Sequence, residues 1–235
     1  MGKTRRAFIK NAGAITTIAA AGGLKSSSAS PNDPTAARRA GKHSSSVGSS
    51  EMQCVITGQT KSGKSIIISR AAPKPVTVAL LSGWEFYNVW GSDSKPQLPS
   101  DGTQPPHRGY FPPPNGFRFG IFTLPPSTST TIQHAPGSAP QSPTPAQLDE
   151  MNQKLPGVLE TSERDHPGMH TTDTADFDVV ISGEVVMELD DGAEVLLKAG
   201  DCVIQNGTRH AWRNRSSENC VIAYCLIGAE RKKTS

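Results

Sequence analysis

Aromatic residues are scarce in this chain, at 6% of 235 positions, and cysteines number only four. Turn formers are abundant instead, with 22 glycines and 19 prolines. That balance suits many short elements and an all-β architecture. No apolar run is a credible membrane span, which needs about 20 residues. Strands do not alternate with helical patterns, so the parallel βαβ architectures drop out. Acidic residues are almost missing from the first 50 positions, where Asp33 stands against eight Lys and Arg. The remainder holds 16 basic and 20 acidic groups, so the net charge of +3 comes from the leader. The rest of the chain has no basic patch with interleaved aromatics, which excludes nucleic acid as a partner. The length allows one sizeable domain plus extensions.

Residues 1–30 read as a secretory signal. Thr4-Arg5-Arg6-Ala7-Phe8-Ile9-Lys10 is a charged start, residues 11–24 are mildly apolar, and Ser27-Ser28-Ala29 supplies small residues for cleavage. The paired arginines resemble a bacterial twin-arginine signal, which implies export of a folded protein to the periplasm or beyond. An Arg- and Ser-rich, acid-poor leader is also the composition of an organellar transit peptide. Residues 31–50 contain Ser44-Ser45-Ser46 and Ser49-Ser50 and read as a disordered linker.

Gly58-Gln59-Thr60-Lys61-Ser62-Gly63-Lys64-Ser65 matches a phosphate-cradling loop. That chemistry needs a helix to start at the lysine, so that its first amides face the phosphate. Ile66-Ile67-Ile68 follows, and Pro73 and Pro75 lie close behind. β-branched residues in a row favour a strand, so the segment is expected to be a hairpin. Phe117 to Leu124 alternates and reads as a strand ended by Pro125-Pro126. Residues 99–114 and 132–143 read as loops. Thr144-Pro145-Ala146-Gln147 combines a cap, a first-turn proline and a Gln three residues on. It predicts a short helix to about Lys154, with Leu148, Met151 and Leu155 on one face, stopped by Pro156-Gly157. The expected organisation is a β extension over 51–131 packing on a barrel, a loop and helix over 132–165, and the barrel core over 166–230.

The barrel segment is a meander of short strands broken at Gly183, at Asp190-Asp191-Gly192, at Ala199-Gly200-Asp201 and at Gly207. Period two puts His210, Trp212 and Asn214 on one face and Arg213 and Arg215 on the watery one. Residues 220–227 read as a strand covered on both sides. Cys220 and Cys225 fall on opposite faces of it and cannot pair. Cys202 has either as a partner if the strands are neighbours. Folding in a reducing compartment before export argues for free, buried thiols.

Two motifs in this stretch resemble those of the cupins. In the first, His170, Thr172, Asp176 and Gly183 fall where the family has histidine, histidine, acid and glycine. In the second, Gly200, Gly207, His210 and Asn214 follow the family order. The resemblance extends upstream to Cys54-Val55-Ile56-Thr57-Gly58 and to His166-Pro167-Gly168-Met169-His170. It points to a subgroup of small single-domain cupins from bacteria and fungal polyketide gene clusters, some of them assigned as oxidoreductases. It implies an all-β, double-stranded β-helix (jelly-roll) barrel over roughly residues 52–230. It also implies a divalent metal such as Fe, Mn or Ni, held by His170, Asp176 and His210, because two imidazoles and a carboxylate can form a facial triad. Thr172 departs from the pattern, since a hydroxyl replaces an imidazole poorly. His166 is a replacement ligand to weigh.

A metal-free pocket is the alternative. His170 or His210 would then move a proton, with Asp176 fixing the tautomer. Thr172, Gln205, Trp212 and Asn214 complete the expected substrate pocket, Trp212 as an aromatic wall. The expected function is an exported oxidoreductase, or a decarboxylase or isomerase, for a small oxygenated aromatic or polyketide-like compound. A cupin that binds a small ligand without turnover stands beside it. A homodimer is expected from family habit alone.

Overall fold

The computed structural model describes residues 52–127 and 142–232. The leader, the linker and most of the loop at 132–143 lie outside the described residues. Strands β1 (Cys54–Gln59) and β2 (Ser65–Ala71) pair antiparallel as a hairpin of their own. Its turn is closed by Thr60 N–H to Lys64 O at 2.9 Å and by Lys64 N–H to Thr60 Oγ1 at 3.1 Å. Gly63 sits there at φ 81°, a conformation that costs a residue without Cβ little. A strand follows Lys64 where a phosphate site would need a helix, so the sequence match is a hairpin turn.

A second antiparallel sheet has five strands in the order β3 (Glu85–Ser92), β4 (Phe117–Leu124), β10 (Cys220–Gly228), β5 (Thr174–Ser182), β8 (Cys202–Asn206). A third has the order β7 (Glu194–Lys198), β6 (Glu184–Glu188), β9 (Ala211–Arg213). Their inner faces share one core, with Phe122, Val180 and Ile222 from the larger sheet and Val185, Met187 and Leu197 from the smaller. This is the expected jelly roll, built as two facing sheets. Strands β3 and β4 are members of the barrel sheet rather than an extension lying on it. The reason is hydrogen bonding: β5 satisfies one edge of β10, and the other edge needs a strand that only the upstream chain can supply.

The turns follow the residue chemistry. Between β6 and β7, Asp191 (φ 56°) and Gly192 (φ 73°) take the left-handed conformations of a tight hairpin. Gly183 turns β5 into β6 at φ 75°, and a Cβ there would meet the Asn219 carbonyl oxygen at 2.4 Å.

Helix α1 (Pro145–Lys154) starts at Thr144 with both halves of the capping box in place. Met151 and Leu155 bury their side chains in the core. Glu150 accepts from Ala79 N–H and Lys154 donates to Thr77 O, both at 2.9 Å. The helix therefore packs on the barrel wall. A short helix α2 (Val158–Thr161) follows. Replacing Thr144 by Ala removes one cap acceptor and is expected to cost about 1 kcal/mol, read as a melting temperature lower by about 2–4 °C. No helix among the described residues is long and apolar enough to cross a membrane.

Candidate functional site

His170 and His210 form a one-rung β-bridge in which each N–H reaches the other's carbonyl at 3.0 Å. That backbone pairing brings the imidazoles together, with ring centroids 4.2 Å apart at 52°. His170 Nδ1 lies 3.1 Å from Gly168 O, and His210 Nδ1 lies 2.9 Å from Thr208 O. A carbonyl only accepts, so both Nδ1 atoms carry the hydrogen and both neutral rings leave a lone pair on Nε2. Burial lowers the pKa of His170. Burial, then the neighbouring His170, lowers that of His210 to about 4. Both rings are neutral at pH 7. Trp212 stands edge-on to His210, centroids 5.7 Å apart at 83°.

A second cluster lies deeper. Asp176 and Asp178 are two apart on β5 and both face inward, 5% and 6% exposed. Asp178 stands opposite Tyr224 of β10, and the Tyr110 ring lies 6.0 Å from the Tyr224 ring. Burial raises Asp176 to about 6; burial, then the charge of Asp176, raises Asp178 to about 7. Burial also raises Tyr224 to about 12 and holds Tyr110 well above the ordinary phenol value. Arg118 is buried in the same sheet, but its guanidinium serves the loop before β4. It donates to Ser92 O and Gly109 O and pairs with Asp93. Asp176 Oδ1 is buried with no hydrogen-bond partner among the described residues.

Residues 158–227 match the family model "Cupin domain". Short segments also match fungal proteins: one described as phomopsin biosynthesis cluster protein C' of Diaporthe leptostromiformis, 50% identical over 48 residues, and one as oryzines biosynthesis cluster protein J of Aspergillus oryzae, 49% identical over 55. These cover 20% and 22% of this chain, and the chain spans only 25% and 31% of those relatives. Among solved structures, the Schizosaccharomyces pombe Cnp3 cupin domain aligns at a TM-score of 0.36 with 9% identity, over 75% of this chain and 87% of that one. A cupin 2 conserved barrel domain protein from Salinispora arenicola aligns at 0.33 with 14% identity, over 65% and 82%.

The cupin motifs meet here only in part. Among the described residues, no three His, Cys, Asp or Glu side chains form a group that could hold a metal ion. The expected triad of His170, Asp176 and His210 is therefore not assembled, although the two Nε2 lone pairs are those a divalent ion would take. Asp176 stands across the sheet from Gln205 and Leu226, while His170 is tied to His210 ahead of the strand. The inward positions between them go to Thr172 and Thr174, whose hydroxyls pair at 2.7 Å. Nor does Asp176 fix the imidazole tautomers; the backbone carbonyls do. His166 lines a cleft of about 320 Å³ with Arg209 and Arg213, on the outer side of β9, and is no replacement ligand.

The other expected pocket residues divide. Thr172 spends its hydroxyl on Thr174 yet also lines a groove of about 1230 Å³ walled by the prolines of residues 105–114. Gln205 donates to Met187 Sδ at 2.9 Å and accepts from Thr208 Oγ1, whose carbonyl in turn holds His210. It buttresses the imidazole. Asn214 is fully buried and bonded only to neighbouring protein groups, so it is a structural tie and not a pocket wall. Arg213 stays on the outer side as expected, 29% exposed, where it pairs with Glu188 and donates to Pro167 O. All four cysteines are free, and Cys202 is exposed, contrary to the expectation of buried thiols.

Asp178, Tyr110 and Tyr224 were missed by sequence reasoning. Period two from Asp176 would have found Asp178. Nothing local marks Tyr110, which reaches the core from a loop.

Proposed function

We propose that the cupin barrel is an acid–base catalyst for a small oxygenated organic molecule, of the isomerase or decarboxylase kind. The observation that carries this reading is the imidazole pair, with both rings neutral and both Nε2 lone pairs free of backbone partners. His170, half-buried, is the base: its protonated form is supported by Gly168 O and by the charge of Glu163. His210, held neutral, accepts a substrate hydrogen bond. Trp212 supports an aromatic or polyketide-like substrate, and the relatives named for biosynthesis clusters support a small-molecule one. Should a divalent metal bind, His170 and His210 would hold it and it would supply Lewis acidity.

The test is solvent deuterium incorporation into a panel of aromatic β-keto acids and enolisable ketones, followed by NMR with the full chain. His170→Gln and His210→Gln are each expected to slow exchange by about 10²–10⁴-fold. Wild-type rates in both variants would sink the proposal, and saturable binding without exchange would make the barrel a binding module. The leader further supports export. Changing Arg5 and Arg6 to Lys is expected to leave the chain in the cytoplasmic fraction, and unchanged partitioning would remove the twin-arginine reading.

A further inference from the structure

The two segments that carry the imidazoles run out of step. Their ladder is regular from Val179 opposite Cys202 to Ala175 opposite Asn206. The next pairing is the single rung of His170 and His210. Residues 171–174 therefore face only residues 207–209, and one lone rung does not fix a register. Arg231 lies in this break. Its Nη2 donates to Thr172 O at 2.7 Å and to Gly207 O at 3.0 Å, one carbonyl from each segment. Its Nε donates to Asp173 Oδ1 at 2.5 Å. The chain behind β10 is laid along the same break, with Ala229 N–H on Asp173 O at 2.8 Å. Gly207 (φ 62°) leaves room for the guanidinium, because a Cβ there would stand 3.0 Å from Nη2.

We propose that Arg231 is a positioning residue for the imidazole pair. Its guanidinium holds the two segments in the register that the ring tautomers require. Thr172 stands two residues after His170. Gly207 is followed by Thr208, whose carbonyl keeps the hydrogen on His210 Nδ1. A Gly207 peptide free to swing moves the Thr208 carbonyl, one residue on. His210 then loses the partner that leaves its Nε2 lone pair free. The effect is geometric, since the Asp173 carboxylate offsets the charge of the guanidinium. Lysine is no substitute. An ammonium is a point charge, whereas the planar fork reaches a carboxylate and two carbonyls together. That Arg231 serves catalysis rests on the acid–base reading; that it sets the ring tautomers does not.

The experiment reads the rings directly, by NMR of the imidazole nitrogens in the full chain, and then the solvent deuterium exchange rate. Wild type is expected to show the hydrogen on Nδ1 of both His170 and His210. Arg231→Met should mix the His210 tautomers and slow exchange by about 10–100-fold. Arg231→Lys should do the same, because it keeps the charge beside Asp173 and loses the fork. Its milder change keeps the question answerable should Arg231→Met fail to fold. Arg231 is 49% exposed, so the melting temperature should fall by no more than about 4 °C. Arg215→Met removes a similarly exposed ion pair, with Glu194, and should move neither readout. Wild-type ring signals in folded Arg231→Met or Arg231→Lys overturn the proposal, as does tautomer mixing in Arg215→Met. Absence of exchange in wild type would remove the acid–base reading alone, because the ring spectra still decide what Arg231 does.

Discussion

Replacing Asp178 by Asn is expected to stabilise the protein at pH 8, by about 2–3 kcal/mol in denaturant unfolding. Removing a buried side chain's charge normally breaks an interaction, but among the described residues Asp178 has no cationic partner to lose. Asp178 is 6% exposed, its nearest charge is the like charge of Asp176, and the buried guanidinium of Arg118 is committed to Asp93 and the loop carbonyls. The sign follows from linkage. Both acids have folded values, about 6 and about 7, above the ordinary 3.8. The folded state therefore holds protons that the unfolded chain has released, and stability falls as pH rises through about 6 and 7.

His210 works the other way. Its folded value of about 4 lies below the ordinary 6.5, so its contribution is complete above 6.5 and is lost as pH falls. A tenfold change in a protonation equilibrium is worth about 1.4 kcal/mol, so the two acids outweigh the imidazole. Wild type is expected to lose about 2 kcal/mol from pH 5 to pH 8. With Asp176→Asn and Asp178→Asn combined, only the imidazoles remain and stability should rise over the same window. Unfolding curves at pH 5, 6.5 and 8 decide it. A double variant that still loses stability toward pH 8 would mean that groups other than these two carboxyls carry the pH dependence.

Asn214→Ala is expected to cost about 3 kcal/mol and to lower the melting temperature by about 6–12 °C. The side chain is 0% exposed. Its amide donates to Leu124 O at 2.9 Å and Glu218 O at 2.7 Å, and its Oδ1 accepts from Ser216 N and Oγ at 3.0 and 2.7 Å. It ties the end of β4 to the turn between β9 and β10. Truncation leaves Leu124 O buried without a donor and opens a void beside it. Asn214→Asp keeps the acceptor but turns a charge toward two carbonyls, and should be at least as damaging. A variant within about 1 kcal/mol of wild type that nonetheless loses ligand binding would return Asn214 to the pocket wall.

Local chemistry made much of the chain legible. The hairpin at residues 54–71, the capped helix at 145–154 and the turns at Gly183, Asp191 and Gly192 each rest on residues a few positions apart. Period two turned His210 and Asn214 inward, and the structure buries both. What failed was long-range. Glu85–Ser92 is rich in residues that favour strands, but its membership of the sheet depends on β4, some 30 residues on. His170 and Asp176 share a motif, yet a backbone bridge claims one and the β5 pairing the other. Asn214 faces inward as expected, but its function turns on carbonyls from Leu124 and Glu218 that no spacing rule selects.

The sequence by itself determined an all-β barrel, its turns, its helix and the inward face of His210, because these follow from side-chain alternation and turn conformations set within a few residues, while His170 was singled out by the resemblance of its motif. Only the tertiary structure decided which polar groups meet. It joined the imidazoles, fixed their tautomers through backbone carbonyls and set two carboxyls among phenols. Those outcomes depend on strand pairings between distant segments, where a single register places or removes a partner.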